Sequence, residues 1–327
     1  MTPRESIAIL QNNMNKIIIG QEHVVERLII GVLADGNMLI EGLPGLAKTK
    51  MVKTMAKIID ANFSRIQFTP DLLTSDIIGI EKMYEENGSR KFRFEPGPIF
   101  GNIILADEIN RAPAKVQAAM LEAMEERQVT VSGKTYKLPK LFTVIATQNP
   151  LETEGTYKLP DAQRDRFLMH VQISYVTIES ELKIVEQAHK EKNIADHPAY
   201  MDEKIAQDMI FAARDEIEKV KMSEGIEKYI IELVFATRYP LRYSKQLDIM
   251  IDVGVSPRAS LALDQCSRVY AWMQGRDYVT FKDVQAIIHD VFRHRLIKSE
   301  HTRLNEKTND DIVDIILEQV PLPPEEN

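Results

Sequence analysis

The sequence predicts an α/β chain in two parts: a parallel five-stranded sheet between helices, then a smaller all-helical unit. Three observations predict it. As far as residue 175, short apolar runs alternate with stretches of helical periodicity, the pattern of a parallel sheet covered on both faces. A glycine-bearing loop, Gly42-Leu43-Pro44-Gly45-Leu46-Ala47-Lys48-Thr49, joins one such run to a helix. From Ile178 onward only helical periodicity remains. The expected units are residues 1–175, carrying two inserted hairpins at about 80–94 and 128–138, and residues 176–327.

Residues 5–35 read as two helices broken at Ile19-Gly20-Gln21. Ile7, Leu10, Met14 and Ile17 recur at helical spacing in the first, and Val24, Leu28 and Val32 in the second. Met38-Leu39-Ile40 is a strand. The helix after the loop has one apolar face, Met51, Val52, Met55, Ile58 and Ile59, which packs on the sheet. Phe63–Phe68 is the second strand, followed by loop and short helix to Gly79. Asn87-Gly88, with Phe92 and Phe94 alternating behind it, predicts the first hairpin, and Glu95-Pro96-Gly97-Pro98 closes it. Asn102–Ala106 is the third strand. Pro113 suits the first turn of a helix whose apolar face is Val116, Met120, Ala123 and Met124. The second hairpin turns at Ser132-Gly133. Leu141–Ala146 and Leu168–Ile173 are the last two strands.

In the second unit, Ile178, Leu182, Val185 and Ala188 mark one helix, and Tyr229, Leu233 and Ala236 a later one. Ser256-Pro257-Arg258 opens another, with serine as cap and proline in the first position. Thr280 and Asp283 form a capping box ahead of Val284, Ile287, Ile288 and Val291. The tail from Pro321 to Asn327 is expected to fray.

The chain has 327 residues, 44% hydrophobic and 28% charged, the balance of a globular protein long enough for two cores. A net charge of −8 argues against a surface built mainly for nucleic-acid phosphates. The single cysteine, Cys266, excludes an intramolecular disulfide and a cysteine-based zinc site; in its helical stretch it reads as a buried, inert thiol. His289 and His294 stand five apart, which turns them to different faces of a helix, so no metal other than Mg²⁺ is expected. The first residues start no secretory signal, and no apolar run reaches the roughly 18 residues of a membrane helix. The expected compartment is the cytoplasm.

The loop at 42–49 has the spacing of a phosphate-binding loop, with Ala47 where the usual pattern has glycine. Its N–H groups and the start of the next helix can wrap a polyphosphate. Lys48 reaches the β- and γ-phosphates and the Thr49 hydroxyl ligates Mg²⁺. Alanine is tolerable at 47 if that position has helical dihedrals. Lys50 completes the set of residues expected at the nucleotide. Ile19-Gly20-Gln21 can offer backbone groups to an adenine ring. About 60 residues after Lys48, a strand ends in Asp107-Glu108. An acidic pair there suits hydrolysis: Asp107 to hold Mg²⁺ through its water shell, Glu108 to polarise the attacking water. Asn149, at the end of the next strand, can hydrogen-bond γ-phosphate and water. Arg166, just before the last strand, can stabilise charge on a neighbour's γ-phosphate. Arg258, at a helix start, can close the helical unit over the nucleotide. Lone examples of these residues are also common as turn residues or surface ion pairs.

Together these motifs resemble the MoxR family of AAA+ ATPases, in the branch with an insert in the second helix of the core. The matching stretches are Ile19-Gly20-Gln21, Glu41 to Thr49, Phe68 to Leu73, Gly97 to Phe100, Asp107 to Ala112, Ala146 to Pro150 and Ser256 to Arg258. Ala47 is itself similar to that family's loop. The resemblance implies an AAA+ core with a helical lid, and ATP and Mg²⁺ as cofactors. It makes Asn149 the first sensor, Arg166 the arginine finger and Arg258 the second sensor. Thr74 and Arg164 depart from the family pattern, and the second departure leaves open whether Arg164 or Arg166 reaches the neighbour. The resemblance also implies a homo-oligomeric, hexameric ring that remodels or matures other proteins alongside proteins with a von Willebrand factor A domain.

Two other functions fit the same core. One is a nucleic-acid-stimulated motor, against which stand the acidic balance and the lack of a nucleic-acid module. The other is a nucleotide-gated scaffold without turnover, which would need neither Glu108 nor Asn149. The inserts at 80–94 and 128–138 are the expected places for a client or partner to touch.

Overall fold

The structure, a computed structural model, describes residues 1–86, 89–151, 156–157, 159–191 and 204–322. Helices α1 (Pro3–Ile17) and α2 (Glu22–Leu33) precede strand β1 (Met38–Gly42) and helix α3 (Lys48–Ile58). Strand β2 (Phe63–Gln67) and helix α4 (Thr74–Ile78) lead into the hairpin β3 (Gly79–Glu86) and β4 (Ser89–Pro96). Then come β5 (Ile103–Asp107), α5 (Ala114–Glu126) and the hairpin β6 (Gln128–Val131) and β7 (Lys134–Lys137). The core closes with β8 (Thr143–Gln148), α6 (Asp161–Arg164) and β9 (Met169–Ile173). The remainder comprises α7 (Ile178–Glu191), α8 (Gln207–Ile217), α9 (Glu224–Arg238), α10 (Lys245–Met250), β10 (Ile251–Val253) and α11 (Pro257–Met273). It ends with α12 (Phe281–Phe292), β11 (Ile297–Lys298), α13 (Glu300–Leu304) and α14 (Asn309–Gln319).

The five core strands form one parallel sheet in the order β2-β5-β8-β1-β9. Successive residues of a strand face opposite sides, and the burial follows this. Met38 and Ile40 of β1, Ile103 and Leu105 of β5, and Met169 and Val171 of β9 join the core on one face. Leu39, Ile104, Ala106, Val144 and Ala146 join the core on the other. The first core also takes in α1, α2 and α3 and runs on without a break into Leu233, Leu263, Trp272 and Ile288 of the later helices. Each of these large side chains contributes roughly 1.5–3 kcal/mol on burial.

Several boundaries differ from the expected ones. Strand β8 starts at Thr143 and runs to Gln148, because its limits are set by its partners: Thr143 lies opposite Ile103, and Gln148 opposite Glu41. Pro113 is not inside α5 but caps it, with extended ψ of 148° and a carbonyl that accepts from Val116 and Gln117. The second unit is not wholly helical. Strands β10 and β11 pair antiparallel; at three and two residues they are too short to leave an alternating pattern. Helix α12 stops at Phe292, so His294 is off the helix that carries His289. His289 meets Asp314 at 2.9 Å, and His294 is buried against the Phe167 carbonyl. Cys266 is fully enclosed, and burial pushes its thiol up to about 12. Ser256 caps α11 by accepting from the Arg258 N–H, and α12 carries its capping box. The Asn87-Gly88 turn and the tail from 323 onward lie outside the described residues. Among the described residues no helix is long and apolar enough to cross a membrane.

The first hairpin meets the core at a neck of two glycines. A Cβ on Gly97 would stand 2.2 Å from the Ile77 carbonyl oxygen and 2.6 Å from the Gly79 nitrogen. A Cβ on Gly79, whose φ is +96°, would stand 2.2 Å from the Glu95 carbonyl oxygen. Both obstacles are backbone, so no side chain can swing away. We therefore expect Gly97→Ala to lower stability by about 1–3 kcal/mol and to make the 79–96 segment more sensitive to limited proteolysis. Urea denaturation and a timed protease digest measure the two effects. A midpoint and a digest both unchanged would show that the neck tolerates a side chain.

Candidate active site

The phosphate-type loop leaves β1 at Gly42 and enters α3 at Lys48. Gly45 has φ +86° with open space around it, so glycine is needed there for its dihedral, not for room. Ala47 has φ 55° and ψ 21°. The condition for easy tolerance of alanine, helical dihedrals at 47, is not met: the residue is left-handed, which costs an L residue about 1–2 kcal/mol. Left-handed residues in such a turn aim successive N–H groups into one concavity, an anion nest. Lys48 Nζ donates to the Gly42 carbonyl at 2.6 Å and comes within 3.5 Å of the Gln148 carbonyl. Its charge thus bridges the ends of β1 and β8. Thr49 is half-buried in the first turn of α3, and Lys50 is exposed beside it.

A cavity of about 440 Å³ opens next to this loop. Ile19 and Gln21, Pro44 to Ala47, and Lys50 line it as expected. Gln21 Nε2 donates to the Ser174 carbonyl at 2.7 Å, tying the start of α2 to the end of β9. Gly20, at φ +75°, is pressed against Ser180 and Val176. The opposite wall was not foreseen from sequence: it is Tyr175 and Val176 with Glu181, Ile184 and Gln187 of α7. Of the apolar stripe that marks α7 in the sequence, Ala188 lines the cavity, whereas Ile178 at 76%, Leu182 at 61% and Val185 at 52% are exposed.

At the end of β5, Asp107 is buried. Its Oδ2 accepts from Arg65 Nη2 at 2.6 Å and Nε at 3.1 Å, and its Oδ1 from the Thr147 hydroxyl at 2.6 Å. Thr147 Oγ1 in turn accepts from the Glu108 N–H at 3.0 Å. One threonine of β8 so clamps both acidic residues. Glu108 sits at φ 57°, ψ 47°, strained backbone of the kind found where a side chain must be aimed. Its carboxylate accepts from Gln67 Nε2 at 2.8 Å and pairs with Arg111 at 3.1 Å. Asn149 is buried at the next strand end, and its Oδ1 accepts from the Leu151 N–H at 3.2 Å. Glu41 lies 2.8 Å from His170; the bond to His170 holds its carboxyl below the usual range, against the effect of burial. Arg65, Gln67 and His170 carry no motif, and Thr147 lies in the Ala146–Pro150 stretch with no role read for it; the clearest signal is Gln67, in register with Asp107.

Among the described residues no group of three or more His, Cys, Asp or Glu could cage a metal. Thr49 and Asp107 fit Mg²⁺ all the same: both offer hard oxygens, and Mg²⁺ takes few protein ligands and fills the rest from water and phosphate.

The remaining arginines gather elsewhere. Arg166 Nη1 is 3.1 Å from one oxygen of Glu125, and Arg258 Nη2 is 2.7 Å from the other. Arg258 Nη1 also lies 3.5 Å from Asp165. Arg164 pairs with Asp161. Arg258, read from sequence as closing the helical unit over the nucleotide, stands beside Arg166 at Glu125. The Leu168 N–H binds the Asn37 carbonyl just before β1, so this cluster is at the starting ends of the strands. The loop is at the finishing ends, a strand length of roughly 16 Å away.

Residues 37–169 match the family model described as "ATPase family associated with various cellular activities (AAA)", and residues 245–316 match "AAA lid domain". The chain is 40% identical over 311 residues to Chaperone MoxR1 of Mycobacterium tuberculosis, which covers 95% of this chain and 80% of that one. It is 27% identical to Protein MoxR of Methylorubrum extorquens over 98% of this chain and 96% of that one. A crystal structure from Cytophaga hutchinsonii, described as a candidate ATPase, superposes with a TM-score of 0.89 at 42% identity, over 98% and 96% of the two chains. With the fold, the loop and the acidic strand end in agreement, this chain belongs to the MoxR family of AAA+ ATPases.

Proposed function

We propose that this chain hydrolyses ATP with Mg²⁺ in a homo-oligomeric, hexameric ring, and uses the cycle to remodel or mature partner proteins. The observation that carries the reading is the polar line across the strand ends. It runs from Lys48 through the Gln148 carbonyl to Thr147, Asp107 and Glu108. A protein that only binds nucleotide has no use for a clamped, strained carboxylate at the end of that line.

The roles follow from chemistry. The loop N–H groups and Lys48 hold the phosphates. Mg²⁺, when bound, neutralises charge on the phosphate oxygens. Thr49 would hold it directly and Asp107 through its water shell, with Asp107 kept in place by Arg65 and Thr147. Glu108, held by Gln67 and Arg111, accepts hydrogen bonding from the water and turns it for attack. Asn149 aids in fixing that water. The cavity beyond the loop takes the base against Ile19 and Tyr175.

Arg166 and Arg258 supply charge to the neighbouring subunit. What supports this is their distance from their own loop and their shared, exposed partner. A surface ion pair such as theirs with Glu125 is worth about 0–1 kcal/mol, so both can be released to a γ-phosphate. The partners proposed are proteins with a von Willebrand factor A domain, on the family resemblance. Met83 and Phe92, 55% and 66% exposed on the first hairpin, support a client contact there.

Lys48→Ala should abolish binding of a fluorescent ATP analogue while circular dichroism stays unchanged, because the loop is at the surface, where the strands end. Glu108→Gln should retain binding and lose turnover by roughly 100-fold or more. A Glu108→Gln protein that hydrolyses at the parent rate would overturn the assignment of the water to Glu108.

Sharing of the site is tested by mixing. Arg166→Ala and Glu108→Gln subunits are each expected to be nearly inactive alone, an arginine in trans being worth roughly 10³–10⁵ in rate. In mixed rings some interfaces join an intact Glu108 to an intact Arg166, and activity should return. Arg258→Ala should be rescued in the same way, and Arg164→Ala should keep most of its activity. Mixed rings, confirmed by sizing, with no gain over the parents would show that Arg166 does not act across the interface.

A further inference from the structure

Arg295 is buried at the end of the α12 connection, far from the phosphate loop, and the hydrolysis mechanism does not use it. A guanidinium has five N–H groups, and here all the nitrogens are engaged. Nε donates to Asp165 Oδ1 at 3.0 Å. Nη1 donates to the carbonyls of Leu168 at 3.1 Å and Val291 at 2.6 Å. Nη2 donates to the carbonyls of Asp165 at 3.2 Å and Phe167 at 2.6 Å. Four of these five acceptors belong to residues 165, 167 and 168, on both sides of Arg166. His294 adds a further bond, donating from Nε2 to the Phe167 carbonyl at 2.9 Å. From the start of α11, the Ser256 hydroxyl lies 2.8 Å from each oxygen of Asp165.

We propose that Arg295 is a positioning residue for the arginine finger: it fixes the backbone on either side of Arg166 so that the side chain is presented to the neighbouring subunit. The role rests on the reading of Arg166 as a finger acting in trans. Three features carry it. The segment 165–168 lies between α6 and β9, so neither element fixes all of its carbonyls. Buried carbonyls need donors, and a single planar group from the helical lid supplies them. The charge stays in place, because burial lowers Arg295 only to about 10, with Asp165 opposing the shift. Arg166 itself is left with its head partly exposed at Glu125, free to move while its backbone is not. The lid thereby holds the group that serves the next subunit's nucleotide, and not only its own.

The test is Arg295→Lys, which keeps the charge but offers one point of donation in place of a planar fork. Nucleotide affinity should stay within about twofold of the parent, since the loop is untouched. Turnover should fall by roughly 10- to 100-fold, as expected for a reacting group displaced by about 1 Å. Because the defect is in the finger, doping Glu108→Gln subunits into Arg295→Lys rings should raise activity. A defect of general folding would be diluted by no such addition. The double variant Arg166→Ala/Arg295→Lys should be no slower than Arg166→Ala. If Arg295→Lys does not fold, Asp165→Asn, which removes the carboxylate that Nε meets, must show the same rescue and the same non-additivity. Normal turnover, a double variant tenfold slower than Arg166→Ala, or a loss that mixing does not restore while Arg166→Ala rings are restored, overturns the positioning role alone. If Arg166→Ala rings are not restored either, the shared site fails, and the role of Arg295 falls with it.

Discussion

Strand β1 is paired in parallel on both sides, with Met38 opposite Ile145 of β8 and opposite Met169 of β9. Most of the molecule depends on that constraint. Parallel strands in register leave the sheet at one level, so the chain exits β1 at Gly42, β8 at Gln148 and β9 at Ile173 side by side. Three loops that are far apart in sequence then share one edge: the phosphate loop, the Asn149 turn, and the Tyr175 wall. One step further along the sheet, β5 adds Asp107 and Glu108. The same pairing sends the opposite ends of the strands to the other edge, where Asp165 and Arg166 enter β9. A slip of one residue would turn Leu39 and its neighbours to the wrong face, and it would also break the alignment of these loops.

Motifs that are local in sequence were legible. The phosphate loop is eight consecutive residues, the acidic pair is two, and the Ser256 and Thr280 caps are spans of three or four. Each has a local reason to be where it is, and the structure has the sheet, both hairpins and the caps as expected. What was not legible depends on neighbours that the fold supplies. Arg65 and Gln67 look like solvent-facing polar positions until β2 pairs with β5 and brings them to Asp107 and Glu108. Glu125 looks like a surface residue of α5 until Arg166 and Arg258 arrive from two directions. Alanine at 47 is tolerable on sequence grounds if the position is helical, yet the turn into α3 holds it left-handed, and the loop's closure outweighs the local preference. The paired strands β10 and β11 escape notice because five residues in all are too few to show a period.

The joint between lid and core sets buried charge within a continuous apolar cluster. Arg27 of α2 donates to Asp290 of α12 at 2.7 Å and to the Ala286 carbonyl at 2.6 Å. Arg293 bonds Asp290 at 3.0 Å and Asp310 at 2.8 Å. Burial alone would raise the Asp290 carboxyl, but Arg27 and Arg293 outweigh it and hold it below the usual range. Such buried pairs add little net stability, since desolvation offsets the attraction. They do discriminate between arrangements, because any sliding of α12 along α2 strands a charge without its partner. A lid joined through apolar contacts alone could slip by a turn at small cost. This one has a single seating, which suits a part that also carries Ser256, His294 and Arg295 to the segment around Arg166.

The glycine neck of the first hairpin has a mechanical meaning. From the Gly79–Pro96 pair outward, eight residue pairs form an uninterrupted antiparallel ladder, an arm about 26 Å long. Near the neck the chain runs directly back through α4 to Gln67, which is bonded to Glu108. Gearing follows from these proportions: a tilt of 10° at the neck carries the far end of the arm by about 4–5 Å. A small change of angle at the neck is thus magnified along the arm, and its largest displacement falls at the tip.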